Sequence, residues 1–160
     1  MIGPRRAATS RHLTVAECVD RLFGASVGRV AFNTPLGLQV LPVSIRATGT
    51  SLMLDTTPQS SLSQLAEMGG EVTLEVDETL ADSGQAWSVL MRGPIVKLDP
   101  RGRERREAMS QQVEAWPGET CTQALEFTPR SYSGRLVQHP VHPALAPAPG
   151  AQSTAPGAAR

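Results

Sequence analysis

The sequence predicts a mainly β protein, a small antiparallel barrel of about six to seven strands with short helices set between them. Three observations lead there. Strand-patterned segments follow one another with only short turn signals between them. The helical periodicities are brief and interrupt the strands singly, rather than alternating with them as a parallel sheet would require. Residues Glu71–Asp77 alternate strictly, with Val72, Leu74 and Val76 on one side and Glu71, Thr73, Glu75 and Asp77 on the other. That is the pattern of a half-buried strand.

Residues 1–12 carry no periodic pattern and are expected to be disordered. Thr14 is a predicted N-cap, with Glu17 three residues later completing a capping box. Val15, Cys18, Val19 and Leu22 follow at helical spacing, and Gly24 ends the run. Val27–Phe32 reads as a strand, Asn33–Gly37 as a turn, Leu38–Arg46 as a second strand and Ser51–Thr56 as a third, an antiparallel meander. Ser60–Met68 places Leu62, Leu65, Ala66 and Met68 on one helical face, stopped by Gly69-Gly70. Ala86–Leu98 is a long strand whose internal Gly93-Pro94 predicts a bulge or sharp bend. A charged helix over Arg101–Val113 and strands at Thr120–Phe127 and Tyr132–Val137 complete a folded region of 13–137. Residues 138–160, rich in Ala and Pro with Arg160 as their one charged side chain, are expected to form a disordered tail.

Composition narrows the function classes. The 160 residues hold 15 Lys+Arg against 15 Asp+Glu, so the basic excess of a nucleic-acid or membrane-surface binder is missing. Only Lys97 among the basic residues is lysine. No apolar run approaches the length of a membrane span, and no apolar stretch follows Arg5-Arg6 as a leader would need. The two cysteines, Cys18 and Cys121, stand far apart, which fits a reducing cytoplasm. Neither a G-x-G-x-x-G nor a P-loop occurs, and His12, His139 and His142 are too dispersed for a metal set. The Arg101–Glu107 run reads as a solvated helix face with mixed-sign pairs. Glu75, Asp77, Glu78 and Asp82 follow from strand alternation and a turn, and no side chain presents itself as a general base. Any chemistry falls to a bound cofactor.

One segment stands out: Asp55-Thr-Thr-Pro-Gln-Ser-Ser-Leu-Ser-Gln-Leu65, a strand running through a hydroxyl-dense turn into a helix. Free amides at a helix start flanked by hydroxyls can bind an anion such as phosphate, and a Ser60 or Thr57 that simply caps the helix would look the same.

In order along the chain, Val27-Gly-Arg-Val-Ala-Phe32, Pro42-Val43, Asp55-Thr-Thr-Pro-Gln-Ser-Ser-Leu62, Glu75-Val-Asp77 and Ala86-Trp-Ser-Val-Leu-Met-Arg-Gly93 resemble the pyridoxamine 5′-phosphate oxidase-like proteins. Ala115-Trp-Pro-Gly118 and Ser133-Gly-Arg135 are similar to its commonly Arg-rich actinobacterial branch. The resemblance implies a split β-barrel, a homodimer with flavin at the dimer interface, and an oxidoreductase using FMN or, as in some members, the deazaflavin F420. A non-catalytic homodimer of the same fold that binds flavin, haem or another small ligand is the alternative. Carried over by position, Pro42, Val43 and Ser44 would lie along the isoalloxazine edge. Thr56, Thr57, Ser60 and Ser61 would contact the phosphate, and Trp87 and Ser88 would approach the flavin from a neighbouring strand or subunit. Trp87 is equally readable as a core or interface aromatic. This chain departs from its relatives where they often carry Arg before Thr56 and Lys before Leu62, having Asp55 and Ser61 instead. Charge-assisted hydrogen bonds contribute roughly 1.5–3 kcal/mol each, so the missing cations matter unless Arg46 or Arg92 replaces them.

Overall fold

A computed structural model describes residues 8–80, 82–109 and 122–138. The elements in chain order are β1 (Thr9–Leu13), α1 (Val15–Leu22), β2 (Val27–Thr34), β3 (Gly37–Thr48), β4 (Ser51–Thr56) and α2 (Ser61–Glu67). They continue with β5 (Glu71–Leu80), β6 (Gln85–Lys97), α3 (Pro100–Met109), β7 (Gln123–Phe127) and β8 (Ser131–Gln138). Every strand pairing is antiparallel. Strands run in the order β6-β5-β2-β3-β4-β7, and β7 returns to pair with β6, closing a six-stranded ring. β8 and β1 extend from β6 as a two-stranded flap. A closed ring with an attached flap is the split-barrel form.

Alternation decides what fills the ring. Val30, Ile45, Leu54, Leu74, Leu125 and Phe127 are fully buried on the inner face, each contributed by a strand whose neighbouring residues point outward. The capping box at α1 forms: the Glu17 amide donates to Thr14 Oγ1 at 3.2 Å, and the Thr14 amide donates to Glu17 Oε2 at 2.8 Å. Arg11 joins it, with Nη2 2.7 Å from Glu17 Oε1. The Arg11 guanidinium first, and the Thr14 amide second, hold the Glu17 carboxyl down to about 2. Cys18 and Leu22 then turn the buried face of α1 toward the sheet.

The expectation of disorder over residues 1–12 is corrected at Thr9–His12, which belong to β1 and pair with β8 from Thr9↔Gln138 to Leu13↔Gly134. Four of the five β1 side chains are exposed, so no alternation marks the strand. Backbone pairing with the β8 edge makes it. Gly93-Pro94 does not bulge against β5, because Val72↔Gly93 and Glu71↔Pro94 stay in register. On the other edge β6 changes partner there, pairing with β8 as far as Arg92↔Ser131 and with β7 from Ile95↔Phe127. The β7–β8 connection crosses at that point so closely that a Cβ on Gly93 would stand 2.1 Å from the Thr128 carbonyl oxygen. The end of the charged helix at 110–113, the Ala115–Gly118 stretch and the 139–160 tail lie outside the described residues.

Candidate functional site

The β3–β4 hairpin positions most of the residues named above. Its two-residue turn, Gly49-Thr50 with Gly49 at φ +77°, sets Thr48 opposite Ser51 and therefore Arg46 opposite Met53 and Ser44 opposite Asp55. Residues opposite one another share a face. Pro42, Ser44, Arg46, Met53 and Asp55 thus lie on the outer face, and Val43, Ile45, Leu54 and Thr56 on the inner one. Following the ladders outward from Asp55, one row crosses Ser44 and Val27; past the last β2–β5 pair, Arg29↔Glu75, Val27 and Asp77 flank one recess, and the row resumes from Asp77 through Ser88 to Arg135. Pro42 stands one step along β3, in register with Arg29 and Glu75.

Asp77 and Asp55 in this row are both paired with arginines. Arg29 Nη1 bonds Glu75 Oε2 at 3.1 Å and also bonds Asp77, and these two carboxylates, Asp77 first, raise its affinity for its proton. At the other end, Arg46 donates to Asp55 Oδ2, and its second terminal nitrogen lies 4.0 Å from Glu107 Oε1 on α3. Arg46 is mostly buried, and Asp55 is 8% exposed. The other Asp55 oxygen, Oδ1, is buried without a hydrogen-bond partner. Met53 and Ala124 are buried beside it on the same outer face, and α3 packs over β3.

The hydroxyl turn after β4 is largely satisfied from within. Thr56 Oγ1 donates to Ser60 Oγ at 2.9 Å, and Ser60 Oγ accepts the Ser63 amide at 3.0 Å as the N-cap of α2. Thr57 is half-buried and Ser61 exposed. Arg92 is exposed on β6 in register with Thr73 and Ser131. Asp55 is level with Ala124, whose carbonyl takes the Leu98 amide. Leu98 is six positions along the chain from Arg92, so the way to the turn through β7 is about 20 Å at ~3.3 Å per residue. Lys97 binds Glu67, the last residue of α2, at 2.5 Å, at the opposite end of that helix from Ser60.

Trp87 and Ser88 face opposite ways, as neighbours in a strand must. Ser88 joins the outer row. Trp87 is 4% exposed, donates Nε1–H to Glu78 Oε2 at 3.0 Å, and lies under the Arg21 guanidinium 5.5 Å from its ring centre. It plugs the inner end of β6 beneath α1. Two recesses flank it, one of about 180 Å³ lined by Ser26, Val27, Asp77 and Glu78, the other of about 220 Å³ lined by Glu75, Ser88, Arg135 and Val137. Among the described residues, no group of acidic, His and Cys side chains is placed to hold a metal. Sequence reasoning named neither Glu78 nor Glu107 as a partner of a site residue. Counting across the β5–β6 pairing would have found Glu78 opposite Trp87, whereas nothing local points from α3 to Arg46.

The ring-plus-flap barrel with a polar row on its outer face defines the class of split-barrel proteins. More particularly, residues 14–136 match the pyridoxamine 5′-phosphate oxidase family, and the chain belongs to it. No curated protein matches the chain. Among solved structures, the chain is similar to the FAD-binding protein of Mycobacterium smegmatis (22% identity, TM-score 0.63, covering 79% of this chain and 97% of that one). It is similar to a FAD-binding protein of Mesorhizobium loti (17% identity, TM-score 0.67, covering 83% and 100%). It is also similar to the FAD- and haem-binding protein of M. smegmatis (12% identity, TM-score 0.60, covering 77% and 71%). At these identities the likeness is one of fold.

Proposed function

We propose that the chain is a cytoplasmic, homodimeric oxidoreductase that works through a flavin-type cofactor, FMN or the deazaflavin F420. The observation that carries this reading is the buried Asp55 Oδ1 without a partner, in the same outer row as Ser44 and one row from Pro42. An orphaned buried acceptor is costly unless a bound group donates to it, and a flavin offers a ring N–H and ribityl hydroxyls. Membership of the family and the FAD-binding neighbours support the same class of ligand. Pro42 and Ser44 would meet the ring edge with their side chains, and Val43, whose side chain is internal, through its backbone. Thr57 and Ser61 would hold the far end of the cofactor, with Thr56 and Ser60 bracing that turn. Ser88 and Trp87, on β6 and so across the ring from β3, would approach the ligand from a second copy of the chain. When bound, the flavin supplies two-electron transfer, and the protein supplies position, exclusion of water and hydrogen bonds to the ring.

A second copy is supported by Leu36 in the β2–β3 turn and by Leu38 and Val40 on β3 leading to Pro42, which are 95%, 68% and 56% exposed. Among the described residues, no helix is long and apolar enough to cross a membrane. The absorption spectrum of the purified protein, followed by titration with FMN and F420, tests the reading; colourless protein that takes up neither overturns it. The engagement of Arg46 by Asp55 favours a second reading, a non-catalytic homodimer that binds flavin, haem or another small ligand. Flavin or haem uptake with no change in the bound chromophore on adding nicotinamide reductants or reduced F420 would decide for that alternative.

A further inference from the structure

We propose that α3 is a charge-latched strap, hinged at Leu98–Asp99 and fastened through Glu107 to Arg46, whose opening uncovers the Ser44–Asp55 row and admits the ligand. That the ligand is a flavin rests on the reading above; the strap itself does not. Ser44, Met53, Asp55 and Ala124 all lie on the outside of the barrel, yet they are 6%, 1%, 8% and 2% exposed. An antiparallel sheet leaves its outer face to solvent unless something covers it, and α3 is the described element that packs on β3. It is a poor helix by itself. Ten residues are too few for an isolated helix to persist in water. Gly102 sits inside it, and the like-charged Arg101 and Arg105 stand four apart. Nor does an apolar stripe hold it down: Pro-Arg-Gly-Arg-Glu-Arg-Arg-Glu-Ala-Met keeps its apolar residues at the two ends, and Pro100 and Ala108 are exposed.

The described ties between α3 and the barrel are polar. At its start the Leu98 amide donates to the Ala124 carbonyl at 3.0 Å, and Asp99 Oδ1 accepts the Gly102 amide at 2.6 Å, which makes this end the hinge. Further along, Arg103 Nε donates to Glu107 Oε1 at 2.8 Å. The same oxygen stands 4.0 Å from Arg46 Nη1, and Arg46 Nη2 bonds Asp55. Arg103 also reaches the Thr122 carbonyl at 3.2 Å. Asp55, Arg46, Glu107 and Arg103 thus form a formally neutral chain of alternating charge from β4 to α3, and its longest link is the one that joins strap to sheet. Partly exposed pairs of this kind are weak and screened by salt. A segment held this way opens far more often than the strands beneath it.

The test follows peroxide oxidation of Met53 and amide hydrogen exchange of α3 by mass spectrometry, in the full chain and in Glu107→Gln. Met53 lies opposite Arg46, beside the latch, whereas Met91 is equally buried in the core of the ring and serves as the internal control. In Glu107→Gln, Met53 oxidation and α3 exchange should both rise about threefold, roughly the effect of losing one surface ion pair, with Met91 and the β5 amides unchanged. Raising NaCl from about 20 to about 500 mM should act on wild type in the same direction, because the screening length shrinks to about 4 Å. Met53 that oxidises no faster in the variant overturns the proposal, as does Met53 rising only together with Met91; if the variant fails to fold, the salt comparison in wild type decides. Stopped-flow fluorescence quenching with FMN or F420 then reads the gate, and association should speed up by the same factor in Glu107→Gln. An unchanged association rate in a protein whose Met53 has become accessible overturns the claim that the strap guards the ligand's route. No uptake of either cofactor by either protein removes the flavin reading, and the gating with it, while Met53 oxidation still decides the strap.

Discussion

Replacing Gly93 with alanine would place a methyl carbon 2.1 Å from the Thr128 carbonyl oxygen, 3.0 Å from its carbon and 3.3 Å from the Arg130 nitrogen. All three are backbone atoms, so no side chain can swing aside. Either β6 or the β7–β8 connection must retreat by about 1 Å to reach ordinary contact, a form of overpacking that typically costs about 1–3 kcal/mol. The displacement also strains two hydrogen bonds that flank the glycine, Thr128 N–H to the Pro94 carbonyl at 3.1 Å and Arg130 N–H to the Arg92 carbonyl at 2.8 Å. At about 0.5–1.5 kcal/mol each, their loss brings the total to roughly 2–6 kcal/mol. A domain of this size loses about 2–4 °C of Tm per kcal/mol, so thermal denaturation followed by circular dichroism should fall by roughly 5–20 °C. Gly24→Ala is the control, because nothing lies within 4 Å of its Cβ position, and it should leave Tm nearly unchanged. A Gly93→Ala protein melting within about 2 °C of wild type would refute the idea that this crossing is rigid.

Other expectations are local. Thr14→Ala removes the acceptor for the Glu17 amide and should lower stability by about 1 kcal/mol in urea denaturation. Glu17 has its folded pKa depressed to about 2 from an ordinary 4.5, so its contribution is complete above about pH 4.5 and vanishes as pH falls toward 2. The Tm difference between wild type and Glu17→Gln should close over that window. Phe127→Ala empties a fully buried position in the ring and should cost about 3–5 kcal/mol by the same urea measurement. The paired change Leu36→Asp with Leu38→Asp should convert a dimer to a monomer in light scattering without unfolding it, since both side chains are exposed in the single chain.

What could be read from the sequence was what neighbouring residues settle among themselves. The Thr14–Glu17 capping box and the Val72/Leu74/Val76 alternation involve residues within a few positions of one another, and both appear in the structure. β1 was illegible because its partner, β8, lies more than a hundred residues away and its own side chains are exposed. Gly93-Pro94 announced a special point in β6, but the reason for it, the Thr128 carbonyl, belongs to another strand connection. The partner of Arg46 lay between these cases. The turn at Gly49-Thr50 fixes the register that sets Ser44 beside Asp55, so the pairing across β3 and β4 follows from simple counting. Its extension to Glu107 depends on how α3 lies over the sheet, which no local pattern records.

Ring closure through β7 bears on how the chain is made. β4 meets β7 in pairs such as Leu52↔Phe127, and β6 meets it at Ile95↔Phe127, so the last side of the barrel waits on residues made long after β4. Contacts so distant along the chain slow folding. Until residues 123–127 leave the ribosome, β4 offers an open edge of unpaired backbone whose side chains Leu52, Met53 and Leu54 are meant for burial. Nascent chains of this protein therefore pass through a sticky, five-stranded stage, and chaperone demand should peak just before β7 emerges.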